Sequence, residues 1–128
     1  MIDLSKFAII RDRVAERRGP LVLFGLFMPE ASEQWDVVVA GPNLHSLNQR
    51  DLEAVSEVVV SCLTDDELLD VSRIVIMESD LDWLQPQLID EVETDRPVLR
   101  ERFILGRLPI QRAYVFSAHA PQLAGAAR

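Results

Sequence analysis

"LVLFGLFMPEASEQWDVVVAG", residues Leu21 to Gly41, sets two apolar runs on either side of a short polar turn. Neither run alternates polar with apolar residues, which is how a strand covered on both faces reads. The turn "MPEASEQ" is short enough to lay the runs side by side, so two neighbouring central strands joined as a hairpin are expected. One charged residue, Asp36, opens the second run, and a carboxylate at the mouth of a valine strand needs a reason. The local reason would be solvation, or hydrogen bonds accepted from the turn amides of "ASEQW".

Upstream, Asp3 to Arg18 has the spacing of an amphipathic helix, with Leu4, Phe7, Ile10 or Arg11, and Val14 on one face, and "RRGP" stops it. Downstream, "GPNLH" breaks the second strand. Ser46 and Gln49 have capping-box spacing ahead of a helix whose inner stripe is Leu52, Val55, Val59 and Cys62. Thr64 and Glu67 repeat the box before a short helix, "DDELLDV", which leads into "RIVIM", a third strand that reads as fully apolar. Ser79 and Asp82 offer another helix start, with Leu81, Leu84, Leu88 and Val92 as its stripe and a helical signal as far as Glu93. Beyond Pro97, "VLRERFILGRLPIQRAYVFSA" gives two extended runs broken by Gly106 and Pro109, expected as a hairpin on the sheet edge. The expected fold is therefore α/β (α+β), a single mixed sheet of about five strands with three to four helices packed on it. One domain spans 1–128, with 120–128 a flexible tail.

The chain of 128 residues is long enough to bury a core without staples, and 48% hydrophobic with 27% charged residues supplies one. The longest apolar run, Leu21 to Met28, is far short of the roughly 20 residues that cross a bilayer. Lys6, Arg11 and Asp12 stand where a signal peptide needs an apolar stretch, so a soluble, cytoplasmic protein without membrane contact is expected. A single cysteine, Cys62, excludes an internal disulfide and any multi-cysteine zinc site, and its place on a helix stripe puts it in the core. A net charge of −8 excludes general nucleic-acid binding, which needs cations against phosphate. The charge is segregated all the same: Arg11, Arg13, Arg17 and Arg18 crowd the first helix, Asp51 to Asp95 is acidic, and Arg96 to Arg112 is basic again.

Catalytic chemistry is sparse. A nucleophile triad needs a histidine beside Ser or Cys, and the two histidines, His45 and His119, fall in a loop and in the tail. No Gly-rich phosphate loop, HExxH or CxxC occurs. The tryptophans, Trp35 and Trp83, read as core or half-buried anchors. Asp65, Asp66, Glu67, Asp80 and Asp82 fall in first helical turns, where carboxylates oppose the helix dipole.

"LFGLFMPEASEQWDVVV" resembles the signature of minimal nucleotidyltransferases, in which a strand ends in Gly-Ser, a turn follows, and the next strand carries Asp-hydrophobic-Asp. Phe24, Gly25 and Asp36 match it, and the order of elements over Pro20 to Met77 agrees. The resemblance implies a nucleotide site in which Gly25 and Asp36 face the phosphates and Mg2+ is held by Asp36 with Glu78, at the end of the third strand. It departs from the signature at Leu26, where the family has serine, and at Val38, where it has the second carboxylate. With that ligand missing, the resemblance implies a decayed catalytic site.

The function expected from sequence is a non-catalytic interaction or regulatory domain with no cofactor and no confident catalytic residue, docking on a protein partner or on another copy of itself. Its contact surfaces would be the face of Arg11, Arg13, Arg17 and Arg18, or the terminal hairpin from Arg100 to Arg112 with Arg107 at its turn. The alternative is a nucleotidyltransferase-like nucleotide binder or enzyme, using Asp36, Glu78 and Mg2+.

Overall fold

A computed structural model describes residues 2–78, 92–105 and 107–119. The elements run α1 (Ser5–Arg18), β1 (Leu23–Pro29), β2 (Trp35–Ala40), α2 (Gln49–Cys62), α3 (Asp65–Leu68), β3 (Val71–Met77), β4 (Val92–Leu105) and β5 (Leu108–Ala118). They form one mixed sheet in the order β3-β2-β1-β5-β4 with three helices packed on it, the α+β class expected. Every neighbouring pair is antiparallel except β2 and β3, which are parallel because α2 and α3 carry the chain across between them.

The opening stretch forms the expected hairpin: β1 and β2 pair from Leu23↔Ala40 to Phe27↔Asp36. Both lack alternation because both are buried on both faces. Phe24, Leu26, Val37 and Val39 pack with Phe7, Ile10 and Val14 of α1 and Val55 and Val59 of α2. Leu23, Phe27, Val38 and Ala40 point the other way and pack with Phe103, Ile110, Ala113 and Val115 of the β4–β5 hairpin. Edge-to-face ring pairs, Phe24 with Phe116 and Phe27 with Phe103, sit one in each layer.

Helix ends follow local chemistry. Asp3 accepts hydrogen bonds from the Ser5 amide and hydroxyl ahead of α1. Gly19 closes the helix at φ +85°, its N–H bonded to the Ala15 carbonyl, and a Cβ there would meet Asn43 Nδ2 at 2.4 Å. The capping box expected at Thr64 and Glu67 is present in full. The one expected at Ser46 is not: Asn48 is the N-cap of α2, accepting from the Asp51 amide at 3.1 Å. The Ser46 amide is engaged by Glu78 Oε2 at 2.6 Å, which ties that residue to the end of β3, and Asn caps as well as Ser.

Two further expectations change. β3 is an edge strand whose only buried residue is Ile76, with Ser72 and Arg73 exposed. The helix expected from Ser79 falls outside the described residues as far as Glu91, as do Trp83, Gly106 and the tail 120–128. Val92 and Glu93 open β4 instead, because they pair with Ala118 and Ser117 of β5. The terminal hairpin ends the sheet as expected, with β4 outermost and β5 paired to β1. β4 accommodates its extra length by a bulge between Glu93 and Val98, and a second irregularity falls at Arg102, whose φ is +58°.

Candidate functional site

The resemblance places its chemistry at the turn-side end of β1 and β2. There Asp36 is 2% exposed, and Arg73, opposite it on β3, donates from Nε to Oδ2 at 3.0 Å. The carboxylate is neither solvated nor held by turn amides; it is buried, and a guanidinium from the adjacent strand answers its charge. The turn is organised by other groups: Ser32 Oγ accepts from the Gln34 amide, and Gln111 Nε2 donates to the carbonyls of Pro29 and Ser32.

Gly25 occupies the middle of β1, paired to Val38 on one side and Val115 on the other. A Cβ at this position would lie 2.6 Å from the Tyr114 carbonyl oxygen and 3.3 Å from Val115 Cα. The residue is glycine because β5 approaches there, at the register shift between Phe24 and Gly25, which leaves no opening for a phosphate.

Glu78 follows the opposite end of β3. It lies five positions beyond Arg73, roughly 16 Å along an extended chain, so Asp36 and Glu78 do not converge. Glu78 instead fastens the loop between β2 and α2: it accepts from the Ser46 amide and stands 3.5 Å from His45 Nδ1. Those contacts, the Ser46 amide foremost, hold its pKa below the usual carboxylate value. Asp51, buried in the first turn of α2, accepts from the His45 amide at 3.0 Å, and Arg18 Nε is 3.5 Å from its other oxygen. The N-terminus of α2, the natural anion seat at this end of two parallel strands, is thus occupied by the protein's own side chains. Among the described residues, no cluster of three or more His, Cys, Asp or Glu could hold a metal ion.

No family model, no curated protein and no solved structure matches this chain.

Each arginine of α1 has a partner within the fold, with Arg11 buried and Arg13 and Arg17 exposed. Arg11 is 7% exposed and reaches β4, donating to the Thr94 carbonyl and Asp95 at 2.6 Å each, with Glu93 at 3.2 Å. Burial opposes its charge, but hydrogen bonds to Asp95 and Asp12 outweigh that and leave its pKa raised. Arg17 bonds Glu57 and the Ala54 carbonyl, Arg18 the Arg50 carbonyl, and Arg13 the Cys62 sulfur at 3.3 Å. Cys62 is half-buried rather than core, because α2 ends on it and the inner stripe of Asp51, Ala54, Val55, Val58 and Val59 stops a turn earlier. His119 meets Glu93 at 2.9 Å, and neither histidine is hydrogen-bonded to a serine hydroxyl or to the thiol among the described residues.

The terminal hairpin behaves differently. Arg102, Arg107 and Arg112 are exposed and make no side-chain hydrogen bond or ion pair among the described residues. Between Arg100 and Arg112 the sequence has four arginines against one glutamate, a local charge of +3 on a chain of −8. An open groove of about 600 Å³ lies beside them, lined by Glu30, Arg102, Phe103, Ile104, Pro109 and Gln111. Arg102, in the groove lining, has a left-handed backbone; next to it Phe103 lies beside Ile110 in the second core layer, while Ile104 is half-exposed. This groove was not legible in the sequence, because its lining joins Glu30 of the β1–β2 turn to β4 and β5; only the clustered basic residues hinted at the surface.

Proposed function

We propose that this chain is a non-catalytic interaction or regulatory domain, working in the cytoplasm, on a sheet that resembles a degenerate nucleotidyltransferase core. The observation that carries the reading is the Asp36–Arg73 pair: the one carboxylate matching the family's metal ligands is buried against an arginine. A divalent cation at Asp36 would have to displace that guanidinium, and the strand beside it offers no second acid to compensate. The contact surface of the proposal is the basic end of the β4–β5 hairpin, because Arg102, Arg107 and Arg112 are uncommitted among the described residues while each α1 arginine already has a partner within the fold. The complementary partner surface is acidic.

A thermal-shift panel of nucleoside triphosphates, with and without magnesium or manganese, tests the first half. A ligand at about 100 times its dissociation constant adds roughly 2.7 kcal/mol, which would move the melting midpoint by several degrees in a domain of this size. A flat panel is expected. A metal-dependent rise that Asp36→Asn removes would replace this reading with the nucleotide-binding one. For the second half, a partner recovered with the wild type should be lost with Arg102→Glu/Arg107→Glu/Arg112→Glu and retained with Arg13→Glu/Arg17→Glu. The reverse pattern would move the contact to α1.

A further inference from the structure

We infer that the groove beside Arg102 seats a short acidic segment of a partner protein, with one apolar side chain resting on Ile104 and Pro109 and carboxylates on either side of it. The inference rests on the basic hairpin being the contact surface, and it narrows that surface to one groove and one kind of occupant.

The walls of the groove are fixed within the fold. The Glu30 amide donates to the Pro109 carbonyl at 3.1 Å, and Gln111 Nε2 donates to the carbonyls of Pro29 and Ser32, so the β1–β2 turn is fastened to β5. On β4, the Phe103 ring is held edge-to-face against Phe27 at 6.0 Å between centroids. A preformed groove spares its occupant the cost of ordering a mobile surface. Its volume of about 600 Å³ falls inside the roughly 300–1,000 Å³ of ordinary ligand clefts.

Charge brackets apolar surface along the hairpin. Ile104, 50% exposed, lies opposite Pro109 in the strand register. Arg107 stands at the turn, three positions past Ile104, and the Glu101↔Arg112 pair lies three positions before it, roughly 10 Å along the strand, with Arg102 between. All three arginines are exposed and without a side-chain partner among the described residues. The complement of that pattern is an apolar residue flanked by Asp or Glu. A segment of this kind stays short, because beyond the hairpin a chain of net charge −8 repels a longer polyanion.

Arg102 gives a second reason. Its φ of +58° lies where glycine goes freely and other residues seldom do, so arginine there carries a backbone cost. The guanidinium returns nothing to the fold among the described residues, whereas an anion in the groove gives it a partner. Glu30, the one carboxylate of the lining, opposes such an anion and keeps its acids on the Arg102 side.

Fluorescence anisotropy with a labelled peptide of aspartates and glutamates around one leucine tests the inference. The full chain should bind it, and more weakly as salt rises. Replacing the leucine by serine, or Ile104→Ser in the protein, should weaken binding about fivefold. Arg102→Gly should also weaken it about fivefold while keeping the wild-type circular dichroism, since glycine suits the backbone there. Glu30→Gln should tighten it about twofold, and Arg13→Glu/Arg17→Glu should leave it unchanged. Equal binding of the leucine and serine peptides, or no effect of Ile104→Ser, overturns the groove while leaving the hairpin as a general basic contact surface. No binding at millimolar peptide overturns it too, and the hairpin reading is then judged by partner recovery alone. A single-stranded DNA oligonucleotide that displaces the peptide at lower concentration than unlabelled peptide does overturns it in favour of phosphate recognition.

Discussion

Asp36 is the residue on which the functional reading turns, and its energetics can be measured apart from any ligand. A buried carboxylate with one charged partner is costly to leave alone, because removing the partner imposes the desolvation of an unpaired charge. Arg73→Ala is therefore expected to destabilise the fold by about 1–3 kcal/mol in urea titration. Asp36→Val should cost less, since it removes the charge and continues the run of Val37, Val38 and Val39 into a layer already lined by Val38 and Val75. If Asp36→Val is the more damaging substitution, the carboxylate has a role in the fold that the ion pair does not describe. Sequence alone showed that Asp36 opens an apolar strand; it could not show Arg73 opposite, because cross-strand register in a parallel pair is set by the crossover through α2 and α3 rather than by either strand. Gly25 illustrates the same limit: a family signature and a close approach of β5 both ask for glycine, and only the register with Tyr114 and Val115 tells them apart.

At the scale of elements, the ends of helices and the inner strands were legible because short-range chemistry decides them. Thr64 and Glu67 form their box, Gly19 stops α1, and the unalternating runs of β1 and β2 are buried on both faces. The misplaced boundaries all depend on distant partners. Glu78 draws Ser46 away from the cap of α2, and Ala118 and Ser117 recruit Val92 and Glu93 into a strand. Arg11 is the clearest such case: its spacing allowed it on the apolar face of α1 but could not name its partners, and here it joins α1 to the β4 bulge through Thr94, Asp95 and Glu93. Arg11→Leu would strand Asp95 and the Thr94 carbonyl, and Arg11→Lys would keep the charge but lose the fork that serves both at once. Faster amide exchange is expected across residues 93–98 in both variants, beyond what each variant's change in global stability accounts for. Unchanged exchange at 93–98 would mean that β5 pairing alone holds the bulge.

For the whole molecule, the pattern of paired carboxylates sets how the fold meets acid. Glu67 joins three segments: it closes the α3 box, accepts from the Asp3 amide at 3.1 Å, and takes Lys6 Nζ at 2.6 Å, so the start of α1 is tied to the crossover between β2 and β3. The bond from Lys6, followed by the Thr64 amide, lowers its pKa from 4.5 to about 2. A carboxylate whose pKa is lower in the folded state binds fewer protons there than in the unfolded chain, so it stabilises the fold at pH above its ordinary value. That contribution is complete above about 4.5, declines as pH falls below it, and is gone once pH passes the folded-state value of about 2. Glu67→Gln lacks the titration. The variant should melt lower than the wild type at neutral pH, with the two midpoints converging as pH is taken from about 5 towards 2. Parallel pH profiles would show that Glu67 is bonded to Lys6 and Asp3 without its charge contributing to stability. Convergence confined to this window would identify Glu67 as a carboxylate through which acid loosens α1 from the sheet.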